Sequence, residues 1–166
     1  MGMLSRVWRS RRLSTHTKMK LYIALVRSVL VYGNESWYDN EGIATRFRVF
    51  ENKALRRILG VNWVDRVRNQ TIREITQVPY IDEWLMKSRW RWLGHVLRVE
   101  PERIVKEAVT WRPDGTRRRG RPRPTWTRTM TRESNTSWDV METQAQNRAG
   151  WREYTEAVCV ERRWRR

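Results

Sequence analysis

Apolar residues along this chain recur mostly at spacings of three and four. The breaks fall where glycine, proline or a capping residue stands. Ser14 or Thr15 can cap a helix running to about Tyr32, with Tyr22, Leu25, Val26, Val29 and Leu30 on one broad face and Gly33 as its stop. A second helix is marked by Ile43, Phe47, Phe50, Ala54 and Ile58, and Gly60 stands where it would end. A short helix around Thr71–Thr76 carries Ile72 and Ile75. Pro79 then breaks the chain ahead of a longer helix from about Ile81 to Val99. On that helix Leu85, Trp92, Val96 and Val99 are expected to face inward, with Arg89, Arg91 and Arg98 projecting outward. Pro101 suits the first turn of a helix over Glu102–Thr110, whose inner face would be Ile104, Val105 and Ala108.

After Trp111 the pattern stops. Arg112–Arg123 is almost devoid of apolar residues, while Gly115, Gly120, Pro113 and Pro122 block regular structure. Pro124 can open a helix holding Trp126 and Met130. Ser137 reads as an N-cap, with Asp139 well placed against the helix dipole. Trp138, Met141 and Ala145 follow, then Trp151, Tyr154 and Val158 in a final helix. No period-2 strand and no internal repeat is evident. The fold class is therefore all-α: a multi-helix bundle over 1–111, a basic irregular loop over 112–123 and a small C-terminal helical segment over 124–166.

Charge sharpens this picture. The 166 residues carry a formal net charge of +17, and lysine supplies only five of the 35 basic side chains. Arginine makes planar, bidentate contacts to phosphate and stacks on bases, where lysine acts as a point charge. Eleven tryptophans accompany these arginines, and base stacking is one use for exposed indoles. A basic, arginine-dominated, aromatic-rich chain points to a nucleic-acid partner, as RNA, DNA or their hybrid.

Cys159 is the sole cysteine, which excludes an intramolecular disulfide and a cysteine-based zinc site and suits a reducing compartment. Uninterrupted apolar runs such as Leu21–Val26 and Val29–Tyr32 are only a few residues long, so no membrane span is expected. Nucleus or cytoplasm is the expected location. The acid-free, serine-containing start of the chain leaves a mitochondrial leader as the weaker reading.

Catalytic parts are sparse. The only adjacent acidic pair, Asp82-Glu83, opens a helix and complements its N-terminus. His16 and His95 are the only histidines, and His95 reads as a packed or phosphate-contacting side chain rather than a general base. No phosphate-cradling glycine loop is present, and no cofactor is expected.

Binding parts are plentiful. Arg89, Trp90, Arg91 and Trp92 alternate basic and aromatic groups within about one helical turn, with Trp92 expected inward and Trp90 outward. Arg56 and Arg57 flank an apolar face and could hold a phosphate. Arg66 and Arg68 beside Trp63 form a third cluster, and His95 and Arg98 extend the helical one. Arg117, Arg118, Arg119, Arg121 and Arg123 crowd around a Gly-Arg-Pro core. That core supports two readings: a hook inserting Arg121 into an A·T-rich minor groove, as in an architectural DNA-binding protein, or a backbone-gripping joint between helical units.

Several blocks together favour the joint. "KLYIALVRSVLVYGNESW" (Lys20–Trp37), "FENKALRRILGVNWVDRVRN" (Phe50–Asn69), "RWRWLGHVLRV" (Arg89–Val99), "RRRGRPRPTW" (Arg117–Trp126) and "SWDVMETQAQNRAGWREYTEAV" (Ser137–Val158) are spread over nearly the whole chain, from Lys20 to Val158. In this order and rough spacing they resemble the C-terminal part of reverse transcriptases from LINE-type, non-LTR retrotransposons, with RTE-like elements the nearest in character. In that family the palm holds a Tyr/Phe-x-Asp-Asp motif for the catalytic metals, and no Asp-Asp occurs here. The resemblance implies a thumb and the region behind it, which grip the template-primer duplex by its backbone without catalysing extension. It also implies a chain beginning after the palm, as a truncated or decayed copy, with a palm from the same element as a further partner. "NESWYDN" (Asn34–Asn40) departs from the family's usual Ser-Glu-Thr-Trp, and Lys53-Ala54 stands where a cysteine is often found.

Overall fold

The computed structural model of the chain describes residues 2–34, 41–111, 120 and 125–164. Among these residues the structure is helical throughout its regular elements and holds no strand, so the fold is all-α. Contacts gather the chain into two compact units, Met1–Leu85 and Met86–Arg166.

In the first unit α1 (Ser5–Arg9) precedes α2 (Thr15–Leu21). Ser14 caps α2 as its residue type suggests, its hydroxyl accepting the Thr17 N–H at 3.1 Å. α2 passes directly into a π-helical stretch, Tyr22–Arg27, then a last turn, α3 (Ser28–Leu30). Gly33 follows with φ 66°, the left-handed conformation that a glycine stop supplies.

The π turn corrects the expected apolar face. Hydrogen bonding from i to i+5 places Tyr22 and Arg27 on the same side. The buried residues are accordingly Met19, Tyr22, Arg27 and Val31, while Leu25 and Val29 are exposed. α4 (Glu41–Leu59) follows its sequence pattern more closely. Ala54, Leu55 and Ile58 are buried, Phe47 and Phe50 are half-buried, and Gly60 ends the helix at φ 73°. With α5 (Asn69–Thr76) these helices enclose a core of Trp8, Met19, Tyr22, Ala54, Leu55, Ile58, Ile72 and Val78.

A buried ionic cluster sits beside that core. Glu51 of α4 is wholly buried, as is Tyr22, and Arg27 and Arg73 are almost so. Arg73 Nη2 donates to Glu51 Oε2 at 2.6 Å, Arg27 Nε lies 3.7 Å from Oε1, and the Tyr22 hydroxyl donates to Oε1 at 3.4 Å. Arg73 also reaches the Val78 and Pro79 carbonyls, and Arg27 the Tyr80 carbonyl. The guanidiniums lie over the Tyr80 and Trp84 rings, at 4.7 Å and 5.8 Å from their centroids. Burial, then the Glu51 charge, pushes the Tyr22 hydroxyl well above the usual tyrosine range. Burial pulls Arg27 below the ordinary arginine value against the opposing pull of Glu51.

The helix α6 (Ile81–Arg98) runs through the division between the units. Its part from Met86 onward packs with α8 (Trp126–Ser134), α9 (Trp138–Gln146) and α10 (Arg148–Trp164). The core there is Met86, Trp90, Leu93 and Leu97 of α6 against Met130, Met141, Ala145, Trp151, Val158 and Cys159. The inward face of α6 is thus turned from the expected one. Trp90 is 0 % exposed, whereas Leu85, Trp92 and Val99 are only partly buried.

Two contacts decide this phase. A Cβ at Gly94 would overlap the Trp151 indole, so only glycine lets that ring seat against α6. The Trp151 Nε1 then donates to the Trp90 carbonyl at 3.0 Å. Trp90 itself lies 5.9 Å from both Trp151 and Tyr154, centroid to centroid.

Between α6 and α8 in sequence, α7 (Ile104–Thr110) begins two residues later than its pattern suggested. Ile104, Val105 and Ala108, expected on its inner face, are exposed, and Val109 is the residue it buries. With barely two turns, α7 presents a single side chain inward. α7 packs on α8 within the second unit, although most of Arg112–Arg123, read from sequence as a loop, lies outside the described residues. Thr125 caps α8 through the Arg128 N–H at 3.3 Å. Ser137 holds the N-cap position of α9, but its hydroxyl makes no capping hydrogen bond. Among the described residues no helix is long and apolar enough to cross a membrane.

Candidate nucleic-acid interface

The sequence offered basic side chains at three places in the described chain, and the structure sorts them by what each is already holding. Arg89 is buried, its Nη2 donating to both Glu133 oxygens at 2.7 Å and 3.0 Å. The Trp90 Nε1 donates to the same carboxylate at 3.3 Å. Both were expected to face outward, and both instead anchor α6 to α8. A buried carboxylate must be paired, and Glu133 supplies the reason these two side chains turn inward. The Trp90 ring, enclosed by Trp151 and Tyr154, has no face open to a base.

Arg91, His95 and Arg98 behave differently. Their spacing of four and three residues sets them along one stripe of α6, with Arg91 and His95 exposed and Arg98 half-buried. Arg148, Arg152 and Glu156 are spaced by four along α10, so they too share a face. The two stripes meet. Glu156 lies 2.5 Å from Lys87 Nζ and 3.9 Å from Arg91 Nη2. At the other end Arg98 feels Arg148: burial, then that neighbouring cation, lowers the Arg98 proton affinity. α6 and α10 thus lie antiparallel, with the Gly94–Trp151 contact between the two ends.

Arg148 is placed against its own helix as well. It is the first residue of α10, where the macrodipole is positive and an acidic residue would be favoured. The Asn147 side chain caps that end, accepting from the Ala149 and Gly150 N–H groups at 3.1 Å each. Arg98 is held in position by donating to the Ala145 carbonyl at 2.8 Å. The exposed Arg148 thus adds its charge beside a held, half-buried Arg98, an arrangement that an anion would relieve. Arg148 and Arg152 were not singled out from the sequence. Their signal was the spacing of four on the amphipathic helix carrying Trp151, Thr155 and Val158.

In the first unit Arg56 is spent on structure. Its Nη2 donates to the Val67 carbonyl at 2.5 Å and to Asn69 Oδ1 at 2.9 Å, tying the end of α4 to the following turn. Arg57, Arg66 and Arg68 are exposed and have no ion-pair partner among the described residues. Arg66 sits at φ 49°, the left-handed residue that closes a 3-10 turn over Trp63–Asp65. The turn is held by a capping box in which Asp65 Oδ2 accepts the Asn62 N–H at 2.6 Å. Trp63 on this turn is 87 % exposed.

The remaining arginines, Arg117, Arg118, Arg119, Arg121 and Arg123, lie outside the described residues. Of the adjacent acidic pair, Asp82 accepts from Arg48 Nη1 at 3.0 Å. The charged lining of a cavity of about 370 Å³ beside α7 is Glu102, Glu107, Glu142 and Lys106, the last paired with Glu142 at 2.6 Å, so its balance is acidic, the wrong sign for a phosphate.

What the fold and surface define is an all-α protein with an arginine-bearing stripe on α6 and α10 of the second unit and three exposed arginines, Arg57, Arg66 and Arg68, in the first. Compared with known proteins, the chain is similar to an uncharacterized transposon-derived protein of Caenorhabditis elegans, at 27% identity over 124 residues. The alignment takes in 72% of this chain and 44% of that protein, so the chain spans less than half of its relative's length. This similarity points to a transposon origin. No protein-family model and no solved structure matches the chain.

Proposed function

We propose that this chain is the nucleic-acid-binding, non-catalytic thumb and post-thumb part of a LINE-type retrotransposon reverse transcriptase. It grips the backbone of a template-primer duplex with arginines. The observation that carries this reading is the stripe of Arg91, His95, Arg98, Arg148 and Arg152, where the charge of Arg148 adds to burial in lowering the proton affinity of Arg98. Each phosphate brought to such a stripe relieves that repulsion and releases counterions. The ordered sequence blocks and the similarity to a transposon-derived protein support the retrotransposon half of the reading.

Backbone gripping predicts indifference to base sequence. The test is competition binding with A·T-rich and G·C-rich duplexes of equal length, beside an RNA–DNA hybrid, across a salt series. Equal affinities for the two DNA duplexes, falling steeply with salt, are expected. A strong A·T preference would instead make the Gly-Arg-Pro core around Arg121 a minor-groove hook.

A further inference from the structure

We infer that the turn carrying Trp63 is a stacking site for an unpaired or terminal base, so that the first unit takes single-stranded nucleic acid or a strand end rather than duplex interior. The inference rests on the proposed nucleic-acid partner and adds the ligand class. A ring of this size left 87 % exposed forfeits the burial that tryptophan ordinarily gains. The turn is nevertheless ordered locally: the Asn62–Asp65 capping box closes it on one side, and Arg56 pins Val67 and Asn69 on the other. Trp63 is thus presented by a braced support, and little conformational freedom remains to be lost when a base stacks on it.

The charge around the ring favours a nucleic-acid strand. From Arg56 to Arg68 the chain holds four arginines against one acid, Asp65. That carboxylate is engaged within the capping box, while Arg57, Arg66 and Arg68 are exposed with no ion-pair partner among the described residues. A base on Trp63 would bring its flanking phosphates to Arg66 and Arg68, which follow it by three and five residues. Inside a duplex each base face is covered by its neighbours, so a protruding indole finds a free π face only on unpaired bases or at an end. The backbone stripe of the second unit has no such selectivity.

The test compares wild type, Trp63→Ala and Trp63→Phe in binding a twelve-nucleotide oligothymidylate and a double-hairpin (dumbbell) duplex, both of whose ends are closed by loops too short to splay. Because Trp63 is exposed, circular dichroism melts of the three proteins should coincide. Trp63→Ala is expected to weaken oligothymidylate binding about tenfold or more, with Trp63→Phe recovering most of the loss. Hairpin affinity and the salt slopes should stay unchanged, because no phosphate contact is removed. Unaltered oligothymidylate binding by Trp63→Ala, or an equal loss on the hairpin, overturns the stacking site and leaves backbone binding by the second unit standing. If wild type self-associates in sedimentation and Trp63→Ala abolishes that, the turn is a contact between copies and the inference fails. Wild type binding neither ligand overturns this inference and the proposed function together.

Discussion

Replacing Glu51 with glutamine should unfold the first unit far more readily than an ordinary surface change. The substitution keeps the side-chain shape and removes one negative charge from a wholly buried position. Arg27 and Arg73, 3 % and 7 % exposed, are left facing each other without the carboxylate that separates their charges. The Arg73–Glu51 contact at 2.6 Å is a charge-assisted hydrogen bond, and breaking a buried pair of this kind costs about 3–5 kcal/mol. With a urea dependence of about 2 kcal/mol per molar, the midpoint should fall by roughly 2 M.

The assay is urea unfolding followed by far-ultraviolet circular dichroism, with Glu51→Gln, Arg27→Met and the double variant completing a cycle. Removing Arg27 together with the carboxylate restores the original net charge of the cluster, so the double variant should lose less than the two single losses combined. A midpoint shift under about 0.3 M, worth well below 1 kcal/mol, or strictly additive losses, would refute the reasoning.

Tyr22 gives this cluster an alkaline limit. Its ionisation is raised in the folded state, so its contribution is fully present below about pH 10, where free tyrosine ionises, and is lost as pH rises beyond that. Between pH 10 and 11 wild type should lose up to about 1.4 kcal/mol relative to Tyr22→Phe; urea midpoints that fall in parallel for both proteins would remove Tyr22 as the cause. Gly94→Ala should cost about 2–4 kcal/mol, because the added methyl displaces the Trp151 indole and its bond to the Trp90 carbonyl. That loss outweighs a helix-propensity gain of about 1 kcal/mol. A rise in the melting temperature would contradict the seating of Trp151.

How much of this was legible depended on how many solutions each segment's pattern allowed. α4 was readable because its apolar residues form one stripe and Gly60 closes it. α6 was readable as a helix but not in phase. Leu85, Met86, Trp90, Trp92, Leu93, Val96 and Leu97 surround it almost completely, so several faces were equally apolar. The choice came from residues distant in sequence: Glu133, which needed Arg89 and Trp90, and Trp151, which needed Gly94.

The π stretch was invisible for a related reason, since an i+5 step has no signature of its own when Leu25, Val26 and Val29 mimic ordinary helical spacing. Glu51 did leave a trace. It lies four residues from both Phe47 and Leu55, on the apolar face of α4, where a carboxylate implies buried cationic partners. At the interface, residue type identified Arg91, His95 and Arg98, whereas Arg148 and Arg152 join them only through the antiparallel pairing of α6 with α10.

The central claim is that the α6–α10 stripe binds nucleic-acid backbone through its arginines. Its most direct test is the slope of log Kobs against log salt for a mixed-sequence DNA duplex, in wild type and in an Arg91→Ala, Arg98→Ala, Arg148→Ala variant whose folding is checked by circular dichroism. At about 0.9 per phosphate contact, the variant's slope should be shallower by two to three and its low-salt affinity weaker. A folded variant with the wild-type slope and affinity would contradict the account.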